Sequence, residues 1–136
     1  MQFLDTNVFL RYLTRDDETK ASRCFAFFQQ LKNGAAEATT SEVIIAEVVY
    51  VLSARNHYHL TPTEIRDRLL PMFNVKGLKL PSKRRVLRAL DLSAAYPFLD
   101  FEDALAVAEM EQGGISELLS YDRDFDRISG ITRVEP

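Results

Sequence analysis

Two aspartates follow short apolar runs that are typical of buried strands. Asp5 ends Phe3-Leu4 in the opening stretch MQFLDTNVFL, and Asp122 comes soon after Leu118-Leu119. Ligands of open α/β sheets bind outside the carboxyl ends of the strands. The two aspartates are therefore placed to share one site.

Two further acids lie on predicted helices. Glu47 and Asp103 each have apolar residues three and four positions away, which predicts that both face the core. The apolar neighbours are Val43, Ile44, Tyr50 and Val51 for Glu47, and Leu99, Ala106 and Val107 for Asp103, whose face also carries Met110. One such acid is commonly a structural group held by a hydrogen bond or an arginine. Four such acids in one small domain favour a shared functional site.

Clustered carboxylates imply a cation. Two of them about 4 Å apart repel by roughly 4 kcal/mol at a surface-like dielectric. A cluster therefore takes up protons or binds a positive ion. Oxygen ligands of this kind select hard divalent ions, so Asp5, Glu47, Asp103 and Asp122, here called the four acids, predict a Mg²⁺ or Mn²⁺ site.

Composition limits the class of protein. The chain has 136 residues, 46% of them hydrophobic, and one cysteine, Cys24, which we interpret as a small core residue. No apolar stretch approaches the roughly 18 residues of a membrane span, and no signal peptide is evident. These features predict a cytoplasmic protein with no membrane partner.

The charge balance bears on nucleic-acid binding. The formal net charge is -3, which by itself argues against a phosphate-binding partner. A cation that neutralises the four acids would change this balance to +1. Four basic residues fall within six positions and either contact RNA phosphates or form a solvated helix face; they are Lys83, Arg84, Arg85 and Arg88.

The elements that must position these residues alternate between strand and helix. The predicted strands are 2–4, 38–40, 75–80, 118–120 and 131–134, and the predicted helices are 8–13, 19–32, 42–56, 61–73, 83–96 and 101–112. This order predicts an α/β fold with a parallel sheet covered on both faces. No linker or repeat is evident, so a single domain over 1–136 is expected.

Four stretches resemble the PIN (PilT N-terminus) domain nucleases, and among them the short VapC-type toxins of toxin–antitoxin pairs. They are FLDTNVFLRYL at 3–13, SEVIIAEVVYVL at 41–52, LDFEDALAVA at 99–108 and LLSYDRDFDRISG at 118–130. The resemblance implies a single-domain α/β/α sandwich with a central, mostly parallel sheet of four to five strands. It also maps the four acids onto the catalytic metal site of the family.

The resemblance assigns further residues. Thr6 and Asn7 match polar residues beside the first aspartate, and Ser120 stands where threonine is more common. These three are expected to support the ligands or to position a phosphate, and Asp126 is a candidate additional acid. A homodimer and an antitoxin that blocks the acidic pocket are the implied partners.

The resulting prediction is a Mg²⁺- or Mn²⁺-dependent endoribonuclease, the toxin of a type II toxin–antitoxin pair, which hydrolyses RNA with a metal-activated water. Two alternatives stay open at this point. One is a catalytically degenerate PIN-like module that binds RNA or protein without cutting. The other is a metal-dependent DNase.

Overall fold

A computed structural model describes all residues, 1–136. The chain divides into two compact units, Met1–Lys83 and Arg84–Pro136, and each is described by itself. The single domain expected from the sequence stays a prediction.

The first unit contains three short strands and four helices. Its elements are β1 (Gln2–Phe3), α1 (Thr6–Thr14), α2 (Glu18–Asn33), β2 (Ala38–Thr39), α3 (Glu42–Ser53), α4 (Pro62–Phe73) and β3 (Leu78–Lys79). The strands form one parallel sheet in the order β1-β2-β3. Parallel neighbours require crossover connections, which the helices supply.

Threonine hydroxyls form hydrogen bonds between neighbouring strands at their carboxyl ends. The hydroxyl of Thr40, just beyond β2, donates to the carbonyl of Leu4 at 2.8 Å, and the hydroxyl of Thr39 donates to the carbonyl of Lys79 at 2.6 Å. The amide of Leu4 also donates to the Thr39 carbonyl at 2.8 Å. The position of the chain just before Asp5 is thereby fixed by its neighbour in the sheet.

Local signals set the starts of the helices. Asp17 caps α2 and Ser41 caps α3, each by accepting a hydrogen bond from a backbone N–H of the first turn. Thr61 and Glu64 form the capping box that opens α4, with Pro62 as its first residue. These caps satisfy N–H groups that have no partner within the helix.

The core of the first unit is aromatic and aliphatic. The ring of Phe9 on α1 lies 6.0 Å from that of Phe28 and 6.4 Å from that of Phe73. The other fully buried large side chains are Leu31, Ile45, Val48, Leu52, Ile65 and Leu69. Cys24 is only half-buried, although its spacing places it on the same face of α2 as the buried residues Ala21 and Phe28. Its interpretation as a core residue is corrected accordingly.

The second unit contains two helices, two strands and a short 3-10 helix. Its elements are α5 (Lys83–Ala95), α6 (Phe101–Gly113), β4 (Glu117–Leu119), the 3-10 helix (Arg123–Arg127) and β5 (Thr132–Val134). The two strands pair in parallel, with Leu118 opposite Arg133. Its buried side chains include Val86, Leu90, Leu92, Leu99, Phe101, Val107, Phe125 and Ile128.

The predicted α/β class with parallel strands is confirmed, and the sheet differs in detail. The predicted sheet had four to five strands. The structure has one sheet of three strands and one of two strands. Strand β1 was expected to be buried, but Phe3 is 60% exposed and only Leu4, after the strand, is buried. The predicted strand over 75–80 reduces to Leu78–Lys79, because Val75 accepts a turn hydrogen bond from the amide of Leu78.

The α-helices of the chain are 9 to 16 residues long. None of them combines the length and the apolar character that a membrane span requires.

Candidate active site

Asp5 lies where β1 gives way to α1. It occupies the N-cap position with an extended backbone, yet its carboxylate accepts no capping hydrogen bond from the helix. The side chain is exposed, as is that of Asn7 in the first turn. The carboxylate of Asp5 is thus presented at the carboxyl end of a strand and beside a helix N-terminus, where negative charge is favoured.

Thr6 connects the first acid to the second. Its side chain is buried, at 6% exposure, and its hydroxyl donates a hydrogen bond to the Oε2 atom of Glu47 at 2.9 Å. Forty-one positions of sequence separate the two residues. The contact holds one carboxylate oxygen of Glu47 against the residue that follows Asp5.

The structure corrects the reason for which Glu47 was selected. The residue is exposed, and the buried face of α3 carries Ile45, Val48, Val49 and Leu52. The apolar residues at helical spacing from Glu47 include Val43, which is 76% exposed, and Tyr50, which is 67% exposed. Glu47 therefore needs no compensation for burial, and its link to the site is the hydrogen bond from Thr6.

Asp122 is held in a turn after β4. The hydroxyl of Ser120 accepts a hydrogen bond from the amide of Asp122 at 3.0 Å. The Oδ1 atom of Asp122 in turn accepts from the amide of Asp124 at 3.0 Å and caps the 3-10 helix. Ser120 thus shapes the turn that presents Asp122.

Asp103 lies half-buried in the first turn of α6. Burial, followed by the negative charges of Asp100, Asp122, Glu102 and Asp124, raises the pKa of its carboxyl group above the usual 3.8. Asp103 and Asp122 therefore sense each other's charge within the second unit. The electrostatic environment disfavours the ionised form of Asp103 and would favour a cation beside it.

The sequence reasoning missed Asp100 as a member of this acidic group. The available signal was the stretch Asp100-Phe101-Glu102-Asp103, which concentrates three acids at a helix start. Asp124 is half-buried and also contributes to the electrostatic field at Asp103.

Asp126 has a different partner. Its carboxylate accepts hydrogen bonds from the guanidinium group of Arg133, at 2.9 and 3.3 Å. The same arginine also donates to the carbonyl of Ser120 at 2.9 Å. The ion pair gives Asp126 a positively charged partner, and its role as an additional acid of the site stays a prediction.

Two of the four basic residues at the start of α5 are engaged with α6. Arg88 donates to both carboxylate oxygens of Glu111, at 2.8 and 3.0 Å, and Arg85 donates to the side-chain oxygen of Gln112 at 3.2 Å. Lys83 is half-buried and Arg84 is exposed. Arg84 is the member of this set best placed to meet a phosphate.

The donor chemistry fits a divalent cation. All the proposed ligands are carboxylates, the preferred ligands of hard divalent ions, and burial, together with the surrounding acids, raises the pKa of Asp103. Within each unit, no three side chains of the His, Cys, Asp and Glu types already converge as a metal site. The agreement with a divalent-cation site therefore concerns the type and the charge of the proposed ligands, and not an assembled ligand geometry.

Acids follow β1 and β4, and further acids lie on α3 and α6. The chain belongs to the PIN domain family, whose pattern it matches over residues 3–131. Members of this family are metal-dependent nucleases, and the matched range contains all four acids. Comparison with curated proteins gives no significant match.

Proposed function

We propose that this protein is an endoribonuclease that uses Mg²⁺ or Mn²⁺, and that it is the VapC-type toxin of a type II toxin–antitoxin pair. The observation that carries the proposal is the family match over residues 3–131, because that range includes the four acids and both polar neighbours of Asp5. The choice of RNA and of the toxin role rests on the resemblance of four stretches of the chain to such toxins.

The four acids are the proposed metal ligands. A bound divalent ion would lower the pKa of a water molecule and offset the charge that develops on the scissile phosphate. Thr6 orients the carboxylate of Glu47 through its hydrogen bond. Ser120 has the same supporting role for Asp122, through the backbone of the turn.

The acidic group around Asp103 also makes activity dependent on metal. Without a cation, these carboxylates repel a phosphodiester and favour a proton on Asp103. With a cation bound, all of them can stay ionised as ligands. Metal binding and RNA binding are therefore expected to be coupled, with tighter RNA binding in the presence of the ion.

The test of this function is a cleavage assay on structured RNA and on single-stranded DNA, with Mg²⁺, with Mn²⁺ and with EDTA. Asp5→Asn and Asp103→Asn should abolish RNA cleavage, while Glu109→Gln, a neutralised acid on the exposed face of α6, should retain it. Cleavage that survives EDTA, or that both aspartate variants retain, would contradict the metal site. Cleavage of DNA alone would identify the protein as a DNase, and metal-induced stabilisation without cleavage would identify a binding module.

We also propose a homodimer and a cognate antitoxin that covers the acidic site, both acting in the cytoplasm where the RNA substrate is found. Light scattering on the purified protein measures its oligomeric state. Co-expression with the product of a small adjacent reading frame tests the antitoxin: a stable complex should form, and RNA cleavage should cease. A monomer, or a complex that retains full activity, would contradict the respective proposal.

A further inference from the structure

A cationic cavity lies between α1 and α2 in the first unit. Its volume is about 280 Å³. The lining residues are Asn7, Val8, Arg11, Lys20, Arg23 and Cys24. Three positive side chains and one amide thus meet around two small apolar groups, and no carboxylate lines the cavity.

Helical spacing explains why these side chains converge. Asn7 and Arg11 are four residues apart on α1 and share one face, and Lys20 is three residues from Arg23 on α2. The two helices pack against each other, so the two faces meet. The rings of Tyr12 and Phe28, with centroids 4.6 Å apart, contribute to this packing.

The positive charges are not neutralised by ion pairs. None of Arg11, Lys20 and Arg23 forms a salt bridge with a carboxylate, although most salt bridges of the chain involve arginine. Asp17 lies outside the cavity lining; its carboxylate caps α2 by accepting from the amide of Lys20 at 3.0 Å, and this hydrogen bond, followed by the charges of Lys20 and Arg11, lowers its pKa. The lining itself therefore carries three positive side chains and no negative one.

The position of the cavity relates it to the acidic site. Asn7, in its lining, is two residues beyond Asp5 and lies in the first turn of α1. Guanidinium, ammonium and amide donors together match the oxygens of a phosphodiester, which arginine contacts with paired N–H groups.

We propose that the cavity between α1 and α2 binds a backbone phosphate of the RNA substrate, adjacent to the phosphate that is cleaved. This proposal rests on the proposed ribonuclease function. Arg11 and Arg23 are the residues that contact the phosphate, with Lys20 adding positive charge at the rim. The cavity positions the RNA backbone and does not read the bases.

Cys24 supplies a reporter at this cavity. It is the only cysteine of the chain, and it lines the cavity with its side chain half-buried. A thiol reagent therefore modifies a single position, and an occupied cavity should slow the modification. A merely structural role of the arginines would not produce this protection.

The first measurement is the rate of Cys24 alkylation with and without an RNA oligonucleotide that carries only phosphorothioate linkages, in Mg²⁺, so that cleavage is slow. RNA should slow the alkylation of the wild-type protein several-fold, and raised salt should remove the protection. The double variant Arg11→Gln/Arg23→Gln should lose the protection, and Arg11→Lys/Arg23→Lys should keep part of it. The double variant Arg55→Gln/Arg68→Gln removes two exposed arginines outside the cavity and is the matched control.

The second measurement is steady-state cleavage. Arg11→Gln/Arg23→Gln should raise KM with little change in kcat. The slope of log(kcat/KM) against log salt concentration should become less steep by about 0.7 for each phosphate contact removed. The control variant should show neither change.

The outcomes separate this proposal from the proposed function. Wild-type protein that cleaves RNA while the RNA leaves Cys24 alkylation and the KM of the double variant unchanged would overturn the cavity and preserve the ribonuclease. Protection by free inorganic phosphate alone, and not by RNA, would also overturn it. A wild-type protein that neither cleaves RNA nor is protected by it would overturn both.

Discussion

Thr6 is a buried residue, and its hydroxyl donates a hydrogen bond to the carboxylate of Glu47 on another helix. Thr6→Val keeps the shape of the side chain and removes the donor, so the carboxylate of Glu47 loses its orientation. Loss of such a supporting contact typically lowers metal affinity or activity by about tenfold to a hundredfold. Thr6→Ser keeps a hydroxyl and should retain most of the kcat/KM for RNA.

Urea unfolding of both Thr6 variants is the control for stability. If Thr6→Ser loses as much activity as Thr6→Val, the hydroxyl has no part in the reaction and the residue acts only through packing.

Asp103 provides a prediction about pH. Its pKa is raised in the folded protein, first by burial and then by the surrounding acids. The folded state therefore holds this proton more tightly than the unfolded state, and the stability it contributes is lost as the pH rises from 3.8 through the raised pKa. At neutral pH without metal, the ionised Asp103 is a net cost to folding.

Asp103→Asn removes this cost. In EDTA at pH 7 the variant should melt at a higher temperature than the wild type, and the difference should narrow as the pH falls toward 3.8. Thermal melts across this range make the measurement, with Glu109→Gln as the control that lacks the trend. A Tm that is lower than that of the wild type at every pH would contradict the electrostatic account.

Between elements, Gly77 is the residue that allows β3 to lie against the end of α2. A Cβ atom at this position would stand 2.2 Å from the carbonyl oxygen of Ala36 and 2.8 Å from that of Leu31. Both neighbours are backbone atoms, and the amide of Gly77 itself donates to the Leu31 carbonyl at 2.8 Å. Neither can move without breaking hydrogen bonds.

Gly77→Ala should therefore lower the free energy of unfolding by about 1–3 kcal/mol or more. Urea denaturation measures the change. Gly113→Ala is the matched control, because a Cβ atom there meets only the flexible side chain of Ile115, at 3.4 Å. Equal effects of the two substitutions would contradict the argument from close approach.

Two of the three arginines of helix α5, Arg84 and Arg88, have different expected roles. Arg88 is bound to Glu111 on α6, and both side chains are more than one third exposed, so Arg88→Gln should cost less than about 1 kcal/mol of stability. Its effect on the KM for RNA should be small. Arg84 is exposed, and Arg84→Gln should raise KM and leave the free energy of unfolding unchanged.

Denaturation curves and RNA-cleavage kinetics on the same preparations distinguish the two arginines. A reversed pattern, in which Arg88→Gln alone weakens RNA binding, would mean that the pair with Glu111 opens to receive the substrate.

For the whole molecule, the central prediction is a gain in stability from metal. An ion that binds only the folded state at a concentration 100 times its Kd stabilises by about 2.7 kcal/mol. Mn²⁺ should therefore raise the Tm of the wild-type protein relative to EDTA. Asp5→Asn changes the first unit and Asp103→Asn the second, and each should remove most of the rise.

Glu109→Gln is again the control, and it should keep the full response to Mn²⁺. Loss of the response in one aspartate variant only would restrict the metal to the unit that carries that residue.

Much of the fold could be predicted because its signals are local. The capping box at Thr61 and Glu64 fixes the start of α4, and Asn33-Gly34 ends α2 because Gly34 adopts a left-handed conformation. Each of these signals acts within a few residues, so the structure shows the helix limits where the sequence places them. Strand limits were less predictable, because two-residue strands are defined by their partners and not by their own composition.

The candidate site likewise has features that the local sequence predicts and features that depend on tertiary contacts. The sequence could select acids at the ends of apolar runs, but α3 is apolar on nearly every side, so its periodicity did not identify the buried face. The exposure of Glu47 was settled by which face packs against the other helices. The pairing of Asp126 with Arg133 depends on a contact between the 3-10 helix and β5 that no local pattern records.

The sequence by itself therefore determined the alternation of strand and helix, the parallel class of the sheet and the presence of acids at strand ends. These properties follow from periodicity, capping and charge, which act over a few residues. Only the tertiary structure decided that Thr6 holds Glu47, that other acids surround Asp103, and that Arg11 and Arg23 meet in one cavity. The physical reason is that hydrogen bonds, desolvation and Coulomb forces depend on distance in space, which separation along the chain does not give.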